Sequence, residues 1–396
     1  MPDGERAIEL RLVERIADVP AAEWDACAGS GNPFVGHAFL GALEDSKSVG
    51  KNTGWIPRHL VAQGADSRVL GVVPLYLKSH SYGEYVFDHG WAEAYERAGG
   101  QYYPKLQAAV PFTPVPGPRL LAKPGETEGA VRAALAEGLA EVTRRMDVSS
   151  LHVTFCQEDE AVLLEAAGFL LREGTQFHWH NHGYASFDDF LATLVSRKRK
   201  QLRKERRDAL STGIAVKCLS GAELTRDVWD AFFDFYISTS DRKWGSPYLN
   251  RAFFDLLGQR LGDKVALVMA AKDGRWIAGA LNLRGADALY GRNWGCRGDW
   301  PMLHFECCYY QAIDYAIEHR LARVEAGAQG PHKIQRGYLP VATWSAHWIA
   351  DPRLRSAIAD YLKRERAAVR RERMALATHS PYRQAGGNED GGNAEA

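Results

Sequence analysis

Twice along its 396 residues this chain runs through the same order of elements, and that repetition limits the fold more than any other feature. In the first half, apolar strands from Arg58 to Ala62 and from Arg68 to Lys78 flank the turn residues Gly64, Ala65, Asp66 and Ser67, which predicts a hairpin. After an aromatic and proline-rich insert from Tyr82 to Pro118, the pattern predicts a helix from Glu128 to Met146, a strand from Leu151 to Cys156 and a short helix from Asp159 to Ala167. The second half repeats the order. Strands from Val265 to Ala271 and Arg275 to Arg284 flank Lys272, Asp273 and Gly274. A strand from Ala288 to Trp294, a helix from Leu303 to Leu321 and a strand from Arg323 to Gly327 follow. Leu60 and Val61 precede Arg68 at the spacing at which Leu267 and Val268 precede Arg275, so an internal duplication is the economical account.

Two domains of ordinary size also suit the length. The predicted division is 1–185, a basic linking helix over 186–213, a second domain over 214–380, and a Gly, Asn and Glu-rich tail over 381–396 that reads as disordered. Lys plus Arg equals Asp plus Glu at 49 each, so no global field draws the molecule to a polyanion, and charge-driven binding must be local. The start lacks a cationic segment with an apolar run, and no stretch approaches the roughly 20 apolar residues that span a bilayer, which points to a cytoplasmic chain without a membrane span. Six scattered cysteines without metal-ligand spacing read as reduced thiols, with no metal implied.

One local field is conspicuous. From Arg197 to Arg207, eight of eleven residues are Lys or Arg, on a helix whose other stripe is Phe187, Phe190, Leu191, Leu194 and Leu202. Arg199, Lys200, Arg203 and Arg207 are its candidate phosphate contacts, against the plainer reading of a solvated face.

In each half a sheet that passes through a helix to a further strand needs a parallel neighbour at that crossover. That is the order of the acetyltransferase fold, a mixed α/β sheet in which the strands before and after the helix splay apart and the acyl donor lies in the gap. Several segments carry a more specific likeness. They are Pro33-Phe34-Val35, Pro111 to Arg119, Lys243 to Leu249, Gly279 to Asn282, Leu289 to Cys296, Leu303 to Glu306, Glu325 to Gly330 and His332 to Tyr338. In these the chain resembles the FemAB-like family of N-acyltransferases within the acetyltransferase superfamily. The resemblance implies two tandem acetyltransferase-like domains and transfer of an acyl or aminoacyl group to an amine on a small molecule or peptide. The co-substrate it implies is acyl-CoA or aminoacyl-tRNA, with no tightly bound cofactor. The pyrophosphate-binding Gly pattern expected of acyl-CoA enzymes between the splayed strand and its helix is missing from both Val115 to Lys123 and Gly295 to Met302.

Acyl transfer to an amine needs a base and donors for the carbonyl oxyanion, and no Gly-x-Ser-x-Gly or Cys-His signature offers a covalent route. Glu325 interrupts a small apolar strand, and Glu306 lies with His304 in the first turn of the helix before it; both carboxylates are candidate bases, against salt-bridge and helix-end readings. Alternation places Tyr290, Arg292 and Trp294 on one strand face, with Tyr290 a candidate oxyanion donor and Arg292 a candidate grip on a carboxylate or phosphate. His332, Lys333 and Arg336 form a basic cluster suited to the same anions. Tyr248, Asp88 and His89 are candidate acceptor contacts, the last two within the aromatic insert. A second function class stays open: a non-catalytic RNA or anionic-ligand binding protein on a retired transferase fold.

Overall fold

The computed structural model describes residues 8–243, 247–327 and 330–383. Trp244, Gly245 and Ser246, Ala328 and Gln329, and the tail from 384 fall outside the described residues. The first half supplies β1 (Glu9–Val13), β2 (Trp55–Pro57), β3 (His59–Gln63), β4 (Val69–Val73), β5 (Leu75–Lys78), β6 (Lys105–Ala108), β7 (Leu121–Ala122), β8 (Ser150–Cys156) and β9 (Leu170–His180). The second supplies β10 (Ala215–Leu219), β11 (Val265–Lys272), β12 (Arg275–Arg284), β13 (Ala288–Cys296), β14 (Arg323–Glu325) and β15 (Leu339–Ile349).

Eleven strands form one mixed sheet in the order β10-β11-β12-β13-β14-β9-β15-β8-β6-β5-β2. The order is symmetric about the β9/β15 seam: β14 and β13 on one side answer β8 and β6 on the other. In each half the only parallel pairing among the described strands is the crossover pair, Leu106–Ala108 with Leu151–Val153 and Ala288–Tyr290 with Arg323–Glu325. The strand after each crossover pair lies against the other half's crossover strand, β9 against β14 and β15 against β8. Strand exchange therefore fastens two tandem acetyltransferase-like halves into one sheet.

The β3–β4 hairpin forms as the turn residues require, with the Gly64 amide donating to the Arg68 carbonyl at 3.0 Å. The single strand expected from Arg68 to Lys78 is two. Pro74 has no N–H to continue a ladder, so β4 stays with β3 in a separate four-stranded sheet while β5 enters the large one. The basic segment is likewise two helices, Phe187–Ala192 and Ser196–Leu210. Ser186 caps the first by accepting the Asp189 amide, and the break is held by a β-bridge between Leu194 and Tyr382. Pro381, Tyr382 and Arg383, at the start of the segment expected to be disordered, are thus anchored against Thr193 to Val195.

A long helix, Pro352–Ala377, lies across β9 and β15, burying Ile358 and Leu362 against Trp91 and Ile349. The largest core cluster joins Phe34, Phe39 and Phe112 of the first half to Phe253, Leu281 and Tyr290 of the second. Each such buried side chain is worth about 1.5–3 kcal/mol. Among the described residues no helix is long and apolar enough to cross a membrane.

Candidate functional site

At the end of the second crossover pair, three strands place polar side chains in one row. Tyr290 on β13 pairs in register with Glu325 on β14, and Glu325 with His178 on β9. Register partners project to the same face of a sheet. All three are buried, at 2%, 4% and 8% exposure. Arg323 holds one Glu325 oxygen at 2.9 Å; the other, Oε2, has no hydrogen-bond partner and lies 3.8 Å from His178 Nε2. Burial raises the Glu325 carboxyl to about 7 against the pull of Arg323, while burial lowers His178 to about 3. Gln176 fixes the imidazole, its Oε1 3.3 Å from His178 Nε2 and its amide nitrogen donating to the Pro114 carbonyl at 2.8 Å.

Beyond Tyr290 and Glu325 the two strands part. On β13 the register slips: Gly291 faces Asn282 and Trp294 faces Ala280, so Arg292 and Asn293 together oppose Leu281 in a β-bulge. The extra residue breaks the alternation, which corrects the expectation that Tyr290, Arg292 and Trp294 share a face. Tyr290 packs on Phe34 with Leu281 and Leu283, whereas Trp294 packs with Ala280, Leu303 and Cys307 on the opposite side. A cavity of about 110 Å³ occupies the gap, lined on β13 by Gly291 to Trp294, on the far side by Ala326, and at its roof by His304, Cys308 and Tyr309. Its roof is a π-helical turn, Glu306–Tyr310, a distortion that recurs at functional sites.

Lys333 is tied to the far wall through Ala326. It is 4% exposed, has no carboxylate within 4 Å among the described residues, and donates to the carbonyls of Ala326 at 2.6 Å and Gly327 at 3.2 Å. An ammonium has three N–H groups, so one remains for a ligand. Burial lowers its pKa to about 8.

The remaining sequence candidates separate. Glu306 is 0% exposed; Arg206 holds both its oxygens, at 2.9 and 3.1 Å, and Gln311 donates to one at 2.7 Å. Both oxygens are thus taken within the fold, and the carboxylate clamps the basic helix to the π turn, against the expectation of a base. Arg336 is similarly committed, paired with Glu205 at 2.9 Å and lying 3.4 Å over the Phe305 ring. His332 is exposed, 3.1 Å from the Tyr309 hydroxyl, and His304 packs edge-on to Trp294 at 5.3 Å. The cluster of three cations expected at 332–336 is therefore one buried lysine with an N–H to spare, one ion-paired arginine and one exposed histidine.

Arg292 is half-buried; its Nη2 donates to the Phe112 carbonyl and to Thr113 Oγ1, tying the second-half cleft to the first half. Phe112 has a left-handed φ of 57°, costly for an aromatic residue, and its ring stacks on Tyr248 at 4.9 Å. Asp88 is not a surface ligand, because it is enclosed with Lys105, Tyr102 and His152. Burial pushes its carboxyl up, but Lys105 and His152 outweigh burial and hold it well below the usual range. His89 is exposed and stacks near Phe87. On the basic helix Lys200 is exposed without an ion partner among the described residues and Arg199 is half-buried; Arg203 pairs with Asp188 at 2.8 Å and Arg207 lies 3.8 Å from Asp208. Sequence reasoning missed His178 and Gln176 because β9 was not read as a strand; the alternation Gln176, His178, His180 among apolar residues was the available signal.

A family model named FemAB-like, described as peptidoglycan biosynthesis/recognition, matches residues 15–384. No curated protein matches the chain. Among solved structures, FemX is 13% identical, covering 89% of this chain and 100% of its own, with a TM-score of 0.54. The C-terminal domain of a protein described as a lysylphosphatidylglycerol synthetase, from Agrobacterium fabrum, is 8% identical over 87% of this chain and 97% of its own, with a TM-score of 0.52. A conserved protein of unknown function from Bacteroides thetaiotaomicron is 9% identical over 87% and 100%, with a TM-score of 0.53. At these identities the likeness is one of fold.

Proposed function

The chain belongs to the FemAB-like family, and we propose that it is an N-acyltransferase that moves an aminoacyl group from an aminoacyl-tRNA ester to an amine acceptor in the gap between β13 and β14. The family's description, peptidoglycan biosynthesis/recognition, fits an amino-bearing peptide or amino sugar as the acceptor class. The single observation that carries the reading is the cavity that opens where β13 and β14 part, immediately past the buried Tyr290, Glu325, His178 row.

In the proposed reaction the acceptor nitrogen attacks the ester carbon, a C–N bond forms, and the C–O bond to the ribose breaks. Glu325, with a pKa near the working pH, takes the proton the nitrogen loses. In this reading Lys333 donates its third N–H to the carbonyl oxygen as that oxygen gains charge. The departing ribose oxygen takes a proton, directly or through water, and is released as a hydroxyl. Tyr290 fixes the Glu325 side of the row, and Arg292 positions the segment of the first half that faces the acceptor.

A tRNA donor is preferred to acyl-CoA for a reason in the helix start. The amide of Leu303 donates to Trp300, and those of Phe305 and Glu306 to Met302, so these N–H groups are spent on the loop rather than presented to a pyrophosphate. The test is transfer of a labelled amino acid from a charged bulk tRNA mixture to an amine acceptor pool, run beside labelled acetyl-CoA. The expected result is tRNA-dependent transfer that falls about 10²-fold in Glu325→Gln. Transfer from acetyl-CoA alone would move the donor assignment, and full activity in Glu325→Gln would remove that carboxylate from the chemistry.

A further inference from the structure

The chain is formally neutral, yet two helices carry a large local excess of positive charge. The basic helix Ser196–Leu210 has eight Lys and Arg against two acids, and the C-terminal helix Pro352–Ala377 has eight against three. The start of the first meets the end of the second. The Val195 amide donates to the Pro381 carbonyl at 3.0 Å, the Arg383 amide to Thr193 at 2.9 Å, and Leu194 and Tyr382 form the bridge between them. Leu376 and Phe190 share one core cluster beneath this junction.

The cations divide by task. Arg370 and Arg373 reach inward to the buried Glu173 of β9, which holds the C-terminal helix to the sheet. Arg206 and Arg336 pair with Glu306 and Glu205, which holds the basic helix to the cleft roof. Lys363, Arg364, Arg366 and Arg371 on one helix, and Arg197, Lys200 and Lys204 on the other, have no carboxylate within 4 Å among the described residues. All but the half-buried Arg366 are exposed. The exposed acids on the C-terminal helix are Asp360 and Glu372.

We propose that these two helices form one continuous RNA-docking surface, with the C-terminal helix as its second half. The inference rests on the tRNA-dependent reading above and extends it to a helix that reading does not use. A 26-residue helix is about 39 Å long at 1.5 Å per residue, enough to follow several phosphates of a duplex stem. The basic helix then leads to the cleft, because Lys198 bonds Gln335 at 2.8 Å two residues from Lys333. A nucleic-acid backbone fits better than a lipid surface, since the exposed apolar side chains here, Val195, Leu210, Tyr361 and Met374, are scattered singly and form no stripe to insert.

The experiment measures binding of deacylated bulk tRNA and of a short RNA duplex from about 50 to 300 mM salt. One variant replaces Lys363, Arg364, Arg366 and Arg371 with Gln, and a second replaces Arg197, Lys200 and Lys204 with Gln. Unfolding midpoints check that both variants fold. Each variant is expected to lose at least tenfold in affinity, with the salt slope flattened by roughly one unit per lost phosphate contact. Loss in the basic-helix variant alone, or no loss in either, would overturn this proposal while leaving the tRNA-dependent reading in place; no RNA binding by the parent protein would remove both. Loss in the C-terminal-helix variant alone would also overturn the shared surface. Phosphatidylglycerol vesicles are the third probe, and binding to them without binding to RNA would assign the surface to a membrane and overturn the proposal.

Discussion

The two halves of this molecule share one topology but differ where it matters for chemistry. Counting from the last parallel-paired residues, the row Tyr290, Glu325, His178 in the second half corresponds to Ala108, Val153, Ala346 in the first. The first-half row is fully enclosed and apolar, an ordinary core. Just beyond it sits a buried arginine. Arg119 is 1% exposed and donates to the carbonyls of Thr154, Val115, Gly117 and Pro118 at 2.8–3.0 Å. Lys333 meets the carbonyl of Ala326, the residue that corresponds to Thr154, but leaves the gap open. In one copy of the duplication an arginine is packed past the row and in the other a cleft opens there, which is why the proposed reaction is assigned to the second half.

The largest effect should come from removing that arginine. Arg119→Ala strands four backbone carbonyls and leaves a side-chain-sized void, and the expected loss is about 3–5 kcal/mol of stability. Denaturant unfolding measures it. A loss below about 1 kcal/mol would mean that this residue does not secure the packing past the first-half row and that the contrast between the halves is weaker than drawn.

Next comes the buried acid. Glu325 holds its proton to about pH 7 in the native state and to about 4.5 when unfolded. Its pKa is raised on folding, so its contribution is most favourable below pH 4.5 and is lost as pH rises through 7. Glu325→Gln is therefore expected to be more stable than the parent at pH 8, by about 1–3 kcal/mol, and near parity at pH 4. An equal offset at both pH values would show that the carboxyl titrates normally. The histidines tilt the other way. His152 and His178 are lowered to about 3, so the stability they contribute is lost as pH falls from about 6.5 toward 3.

Much of this fold was legible because the duplication repeats hairpin, helix and strand in order, and periodicity reads each. What stayed hidden was pairing between distant strands. Nothing local to Leu170–His180 or Leu339–Ile349 says that each will lie in the other half's sheet, so His178 was invisible as a neighbour of Glu325. Glu325 itself stood out as a carboxylate in an apolar strand. Glu306 looked alike from its place in a first helical turn, but only the tertiary approach of Arg206 distinguishes a clamp from a base. The bulge at Arg292 and Asn293 was illegible for the same reason that alternation misled: an extra residue in one strand leaves no mark in its composition.

The smallest structural change gives the sharpest test of the comparison. Gly291 is the first residue past the parallel pairing in the second half, the place that Ala109 holds in the first. A methyl group on Gly291 would meet the Glu325 carbonyl at 3.4 Å and Asn282 Oδ1 at 3.5 Å, which is ordinary contact rather than collision, and its φ is not in the left-handed region. Gly291→Ala should therefore shift stability by no more than about 1 kcal/mol, in either direction, because strand glycine carries an entropic cost that alanine relieves. The same methyl group enters a cavity of about 110 Å³, at the wall of the proposed acyl site. Misplacing a reacting group by about 1 Å can lower turnover up to 10²-fold, and we expect a loss of about tenfold for this single methyl group. Unchanged stability with reduced turnover would place the reaction in this gap; unchanged turnover would move it elsewhere and leave the open cleft of the second half without a use.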